Sequence, residues 1–183
     1  MLPISSTLVK YWKNNTETDP LKKAMRFLLL SNFTYLGKGD TLRLSLDNSK
    51  KILLKNIEPT FEALKDVKIT TKDIREVISN ISFSEKVLSK KDTYLFIDPI
   101  YFETEHYYNV PKWTRNDSLD CLNIMDNSGI NAGMCEFDHP TIVAEAKKRN
   151  FNIIYIKERQ NIKKRSQEIF ITNYESPQYK LNI

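Results

Sequence analysis

The spacing of apolar residues changes character along the chain. DPLKKAMRFLLLSNF, Asp19 to Phe33, reads as a helix with Asp19 as its cap and Pro20 at its first position. Over Thr34 to Asn56 the period shortens: Leu42, Leu44 and Leu46 alternate with Arg43 and Ser45, which predicts a β-hairpin. IEPTFEALKD follows as a short helix with Pro59 near its start, VKIT as a brief strand, and TKDIREVISNI as a helix capped by Thr71. TYLFID, ending at Asp98, reads as a buried strand, and IYFETEHYYNVPKWTRND as a long loop. SLDCLNIMDNSG is a helix closed by Gly129, and INAGMCEF a strand. HPTIVAEAKKRN is a helix with Pro140 in its first turn and basic residues in its last. FNIIYIKE and QEIFITNYE are the closing strands.

From Val67 onward strands and helices alternate, so the expected fold is α/β, a mostly parallel sheet with helices on its faces. The front reads as a separate region: residues 1–66 carry the helix and hairpin, and residues 67–183 the α/β portion. In open α/β sheets ligands bind beyond the carboxyl ends of the strands, and Asp98 stands at such an end.

Composition narrows the chemistry. The 183 residues are 40% apolar and 28% charged, an ordinary globular balance. No apolar run reaches the length of a membrane span and no secretory h-region opens the chain, so a cytoplasmic protein is expected. Cys121 and Cys135 lack C-x-x-C spacing and are expected to be reduced. A net charge of +5 permits a polyanionic partner. Arg159, Lys163, Lys164 and Arg165 crowd into ERQNIKKRSQ, read either as a solvated loop or as a loop facing a groove. Only four glycines occur, and the one close pair, Gly37 and Gly39, precedes alternating residues rather than a helix, which makes it a poor cofactor loop.

The stretch LFIDPIYFETE admits three readings. Aspartate and proline commonly terminate strands. Asp98, Glu103 and Glu105 are oxygen ligands of the kind magnesium takes, as in a nuclease. The third reading is wider than this stretch. A strand ending in Asp98-Pro99-Ile100-Tyr101 resembles the Asp-Pro-Pro-Tyr motif of amino-methyltransferases acting on DNA. RFLLLSNFTYLGKGDTLRL resembles the start of the target-recognition region in adenine-specific DNA methyltransferases of the Dam type. VKITTKDIREVI resembles the strand and helix before their catalytic strand. MCEFDHPTIVAEAKKRNFNIIYI and KKRSQEIFITNYE are similar to their C-terminal strand–helix–strand and closing ITNY. These fragments run in the family's order from Arg26 to Glu175.

The resemblance implies a partial Rossmann-like methyltransferase sheet with a small helix and β-hairpin insertion for target recognition. It implies methyl transfer from S-adenosylmethionine to the exocyclic amine of adenine in double-stranded DNA, within restriction–modification, and without a metal. Asp98 and the Pro99 carbonyl would accept hydrogen bonds from the amine, favouring a more nucleophilic nitrogen. Tyr101 would stack on the flipped base. Asp98 and Ile100 would border the donor. Asn32, Tyr35, Lys38 and Arg43, with Lys163, Lys164 and Arg165, would contact DNA. His106 and His139 take no catalytic role. Ile100 stands where the family carries proline, which leaves a looser turn and an additional N–H. The family's Phe-x-Gly-x-Gly donor loop does not occur in this sequence. The chain therefore resembles the C-terminal part of such an enzyme, acting with a separate N-terminal polypeptide that binds the donor. The alternative is a catalytically inactive relative that retains DNA binding.

Overall fold

A computed structural model describes residues 4–43, 46–83, 89–104, 110–161 and 164–175, with residues 36, 46–48, 157–161, 164 and 165 described by backbone alone. The chain forms two compact units, Met1–Thr70 and Thr71–Ile183.

The N-terminal unit is helical. Helix α1, Ser6–Asn14, is capped by Ser5, whose hydroxyl accepts from the Leu8 amide. Helix α2, Pro20–Phe33, begins as its sequence predicts, with the Asp19 side chain accepting from Lys22 N. Arg26 joins the two helices by donating to the carbonyls of Trp12 and Lys13. Among the described residues the predicted hairpin is not formed. A single antiparallel bridge, Thr34 to Leu42, closes a loop that begins with a 3-10 turn at Tyr35–Gly37. Tyr35 N donates to Thr41 O and Arg43 N to Phe33 O. Thr34 holds the loop from inside: its buried hydroxyl donates to Leu30 O at 2.6 Å and accepts from Gly39 N at 2.8 Å. Residues predicted as the return strand belong instead to helix α3, Leu46–Leu64, which also absorbs the short helix predicted around Pro59. Leu53, Ile57, Phe61 and Leu64 recur at helical spacing, a longer pattern than the three alternating leucines. The predicted strand VKIT is unpaired chain.

The C-terminal unit carries the sheet. Helix α4, Ile74–Ser79, is capped by Asp73 rather than by Thr71. Strand β1 is Tyr94–Ile97, helix α5 Arg115–Asn127, strand β2 Asn131–Phe137, helix α6 Pro140–Lys148, and strands β3 and β4 Asn152–Asn161 and Lys164–Thr172. A reciprocal capping box between Thr114 and Asp117 starts α5, and His139 caps α6. The strand order is β1-β2-β4-β3. Only β1 and β2 run parallel; β4 is antiparallel to both β2 and β3. The sheet is mixed, which corrects the expectation of a mostly parallel one. Asn161 pairs with Lys164, so two residues join β3 to β4, and so short a connection cannot cross over into a parallel strand.

Helices α5 and α6 cover one face. Leu122 and Met125 of α5 and Ile142 and Ala146 of α6 pack with Ile97, Met134, Ile169 and Ile171 in one buried cluster. The other face shows Tyr94, Phe96, Cys135, Phe137 and Phe170. Strand β1 lies at the sheet edge with Tyr94 and Phe96 exposed, so it is not the fully buried strand its sequence predicts. Asn173, of the ITNY segment, fastens the sheet to α5. Its Oδ1 accepts from Ala132 N, and its Nδ2 donates to Met125 O and Ile130 O, all within 2.8 Å. Cys121 and Cys135 are both free; burial pushes the Cys121 thiol up to about 12. Among the described residues no helix is long and apolar enough to cross a membrane.

Candidate active site

Because β1 and β2 are parallel, their carboxyl ends share one edge of the sheet, and the chain leaving β1 folds over that edge. Asp98 is exposed there, with Pro99 and Ile100 half-buried behind it. Tyr101 turns back onto the sheet. Its hydroxyl donates to Glu168 Oε1 of β4 at 2.7 Å and lies 3.4 Å from Asp98 Oδ1. Its ring meets Phe137 of β2 edge-on, centroids 4.7 Å apart. Burial raises the Tyr101 phenol far above its ordinary pKa, and the neighbouring Glu168 carboxylate adds to this.

The turn is pinned at its far side as well. The Thr104 amide and hydroxyl both donate to Tyr101 O. Glu103 occupies the left-handed region at φ 57°, a conformation that costs a non-glycine residue about 1 kcal/mol and persists where neighbours enforce it. The His139 ring stands 4.8 Å from that of Phe102, edge to face. His139 Nδ1 accepts from Thr141 N, which leaves Nε2 to carry the proton, 3.5 Å from Glu103 Oε2.

Beneath the turn lies a residue to which the sequence reading assigned no role. Glu136 of β2 is fully buried. It accepts from Phe102 N at 3.1 Å, from Phe137 N at 2.9 Å and from the Ser118 hydroxyl at 3.3 Å, and Ser118 accepts from Trp113 Nε1 at 2.8 Å. Burial pushes its pKa up to about 7, while the three hydrogen bonds pull the other way. Its described partners are neutral N–H and O–H groups rather than a cation. Strand alternation carries the signal for it: in NAGMCEF, Glu136 falls in phase with Ala132 and Met134, which face the core.

Arg159, Lys164 and Arg165 of the basic segment lie in strands rather than in a loop. Beyond β2, which ends opposite Glu168, β3 and β4 continue paired with each other to Asn161 and Lys164. Lys157, Arg159, Lys164 and Arg165 therefore lie on a two-stranded arm that leaves the sheet at the carboxyl edge of β1 and β2, the edge that carries Asp98. Lys163 lies outside the described residues.

No protein-family model and no curated protein matches this chain.

The predicted site residues fall into both units. Asp98, Pro99, Ile100 and Tyr101, with Lys164 and Arg165, belong to the C-terminal unit. Asn32, Tyr35, Lys38 and Arg43 belong to the N-terminal one, around the end of α2 rather than on a hairpin. Asn32 Nδ2 is engaged with Leu28 O at 2.9 Å, while Tyr35, Lys38 and Arg43 are exposed along the loop after the helix. Of the carboxylates weighed as metal ligands, Glu103 faces His139 and Glu105 lies outside the described residues, as does His106.

Glycine-lined space for a nucleoside donor is absent among the described residues. Gly37 and Gly39 serve the loop after α2, and Gly129, at φ 68°, follows the end of α5. Gly133 lies mid-strand beneath Phe170 and Tyr94, where an added Cβ would fall within 2.2 Å of the Phe170 ring. None opens a strand-to-helix turn, so these residues do not fit S-adenosylmethionine.

Proposed function

We propose that this chain supplies the adenine-binding and DNA-holding part of a DNA adenine methyltransferase, the donor being bound by a separate polypeptide. The observation that carries the reading is the Asp98-Pro99-Ile100-Tyr101 turn at the carboxyl end of a parallel strand, pinned from β2, β4 and the head of α6. The exposed Asp98 carboxylate is an acceptor for one amine hydrogen, and the Pro99 carbonyl for the other. Withdrawing those hydrogens toward acceptors localises the nitrogen lone pair, and both bonds strengthen as the nitrogen gains positive charge. The Tyr101 ring is the stacking surface, its orientation held by Glu168 and Phe137. The basic arm leaves the same edge and offers charge to phosphates. S-adenosylmethionine supplies the methyl group.

The test is transfer of a labelled methyl group from S-adenosylmethionine to duplex DNA, by the chain with the product of an adjacent reading frame. Asp98→Ala is expected to lower the rate about a hundredfold or more, the scale of removing one preorganised transition-state partner. Undiminished transfer by Asp98→Ala would sink the reading. Tight donor binding by this chain alone would sink the division between two polypeptides.

The glycine positions favour one second reading, an inactive relative that binds DNA through the basic arm. It predicts salt-sensitive duplex binding without methyl transfer in any combination of chains.

A further inference from the structure

We infer that Glu136 is the positioning residue of this site: its buried carboxylate, through the Phe102 amide, holds the Asp98–Tyr101 turn over the end of the sheet. The inference rests on the methyl-transfer reading for its purpose, though not for its geometry. Tyr101 is held by its hydroxyl and by Thr104 on its carbonyl, and the Phe102 ring packs against His139, but none of these contacts engages the Phe102 N–H. The Phe102 N–H, donated to Glu136 at 3.1 and 3.3 Å, ties that backbone to β2. Glu136 is itself fixed by its own strand through Phe137 N and by α5 through Ser118, which is in turn held by Trp113. One side chain thus couples the turn to the core strand and to the helix packed on it. A carboxylate is suited to this task because its two oxygens accept all three hydrogens at once. A buried acid without a cation costs stability, so a structural role alone would be filled better by an apolar residue.

The ionisable residues on the elements packed against it are Asp117, Asp120 and Cys121 on α5, Tyr101 and Glu103 in the turn, His139 at the head of α6, Glu168 on β4 and, beside it on β2, Cys135. The His139 ring touches that of Phe102, so a test must separate the two.

The experiment uses the full chain, in Glu136→Gln, Glu136→Leu and His139→Asn forms. Hydrogen exchange and the amide chemical shift of Phe102 are followed between pH 5 and 9. Glu136→Leu is expected to speed exchange at Phe102 about a hundredfold with β2 and β4 still protected, while Glu136→Gln, which keeps a carbonyl acceptor, stays within about tenfold. The Phe102 shift is expected to titrate in the wild type and in His139→Asn, and not in Glu136→Gln. Equal exchange in all forms, or a titration that survives Glu136→Gln, overturns the contact. The second readout is fluorescence of 2-aminopurine at the target base of a duplex. Glu136→Leu is expected to lose its rise by tenfold or more at unchanged duplex affinity, and Glu136→Gln to restore at least half. A full rise in Glu136→Leu overturns the positioning role. A wild type that binds duplex without any rise, while Phe102 still reports Glu136, overturns the methyl-transfer reading and leaves the contact standing.

Discussion

Glu136 and Tyr101 carry the energetic peculiarities of the site. A carboxyl whose pKa is raised on folding favours its protonated form in the native state, so the stability associated with it is full below the ordinary carboxylate range and is lost as pH rises through about 7. Ionised at pH 8, Glu136 costs the fold on the order of 3 kcal/mol. Glu136→Gln cannot ionise. Whatever the offset in Tm between the two proteins at pH 5, the gap is expected to move in favour of the variant as pH rises from 5 to about 7 and to level off above it; a gap that stays constant in thermal melts would contradict the burial described. Tyr101→Phe removes the hydrogen bond to Glu168 and leaves that carboxylate one donor short. A loss of about 1–2 kcal/mol is expected in urea denaturation, with the edge contact to Phe137 retained.

At the scale of elements, the ITNY segment and the basic arm do different work. Asn173 saturates its amide on three backbone groups that join the end of α5 to the start of β2. Asn173→Ala leaves those groups unpaired and is expected to cost about 2–3 kcal/mol, read from chemical denaturation. The arm, by contrast, contributes little to the core, since the start of β4, Lys164 to Ser166, pairs with β3 and not with β2. Replacing Lys164 and Arg165 by Ser is expected to leave Tm nearly unchanged while lowering duplex affinity. If both contact phosphate, the slope of log affinity against log salt becomes shallower by about 2. An unchanged slope would remove the arm from the DNA-binding reading.

On the scale of the whole chain, the units differ in how much they bury. Val9 and Phe33 are the buried hydrophobic residues described in Met1–Thr70, whereas Thr71–Ile183 holds a contiguous core of two helices against the sheet. Amides of β2 and β4 are accordingly expected to be the slowest to exchange, and those of α3 among the fastest. The sheet's second face is kept tight by a missing side chain: Gly133→Ala would drive a methyl into Phe170 and the Tyr94 hydroxyl. It is expected to lower stability by about 1–3 kcal/mol, seen as a lower urea midpoint.

Local signals in the sequence were sufficient for the cap at Asp19, for Pro140 in the first turn of α6, for the helix stop at Gly129, and for a strand ending at Asp98, because each depends on residues within one turn of one another. Three alternating leucines misled where α3 forms, since a short run with period two is outweighed by a longer helical spacing. The sequence by itself determined the order of elements from β1 onward and the position of the Asp98–Tyr101 turn at a strand's carboxyl end. Only the tertiary structure decided that β4 inserts antiparallel between β2 and β3. That insertion brings Glu168 to Tyr101 and carries the basic arm to the same edge, and it depends on pairing between residues distant in sequence. The burial of Glu136 beneath the turn was likewise decided there, because desolvation depends on what the fold stacks above and below a strand rather than on the strand's own residues.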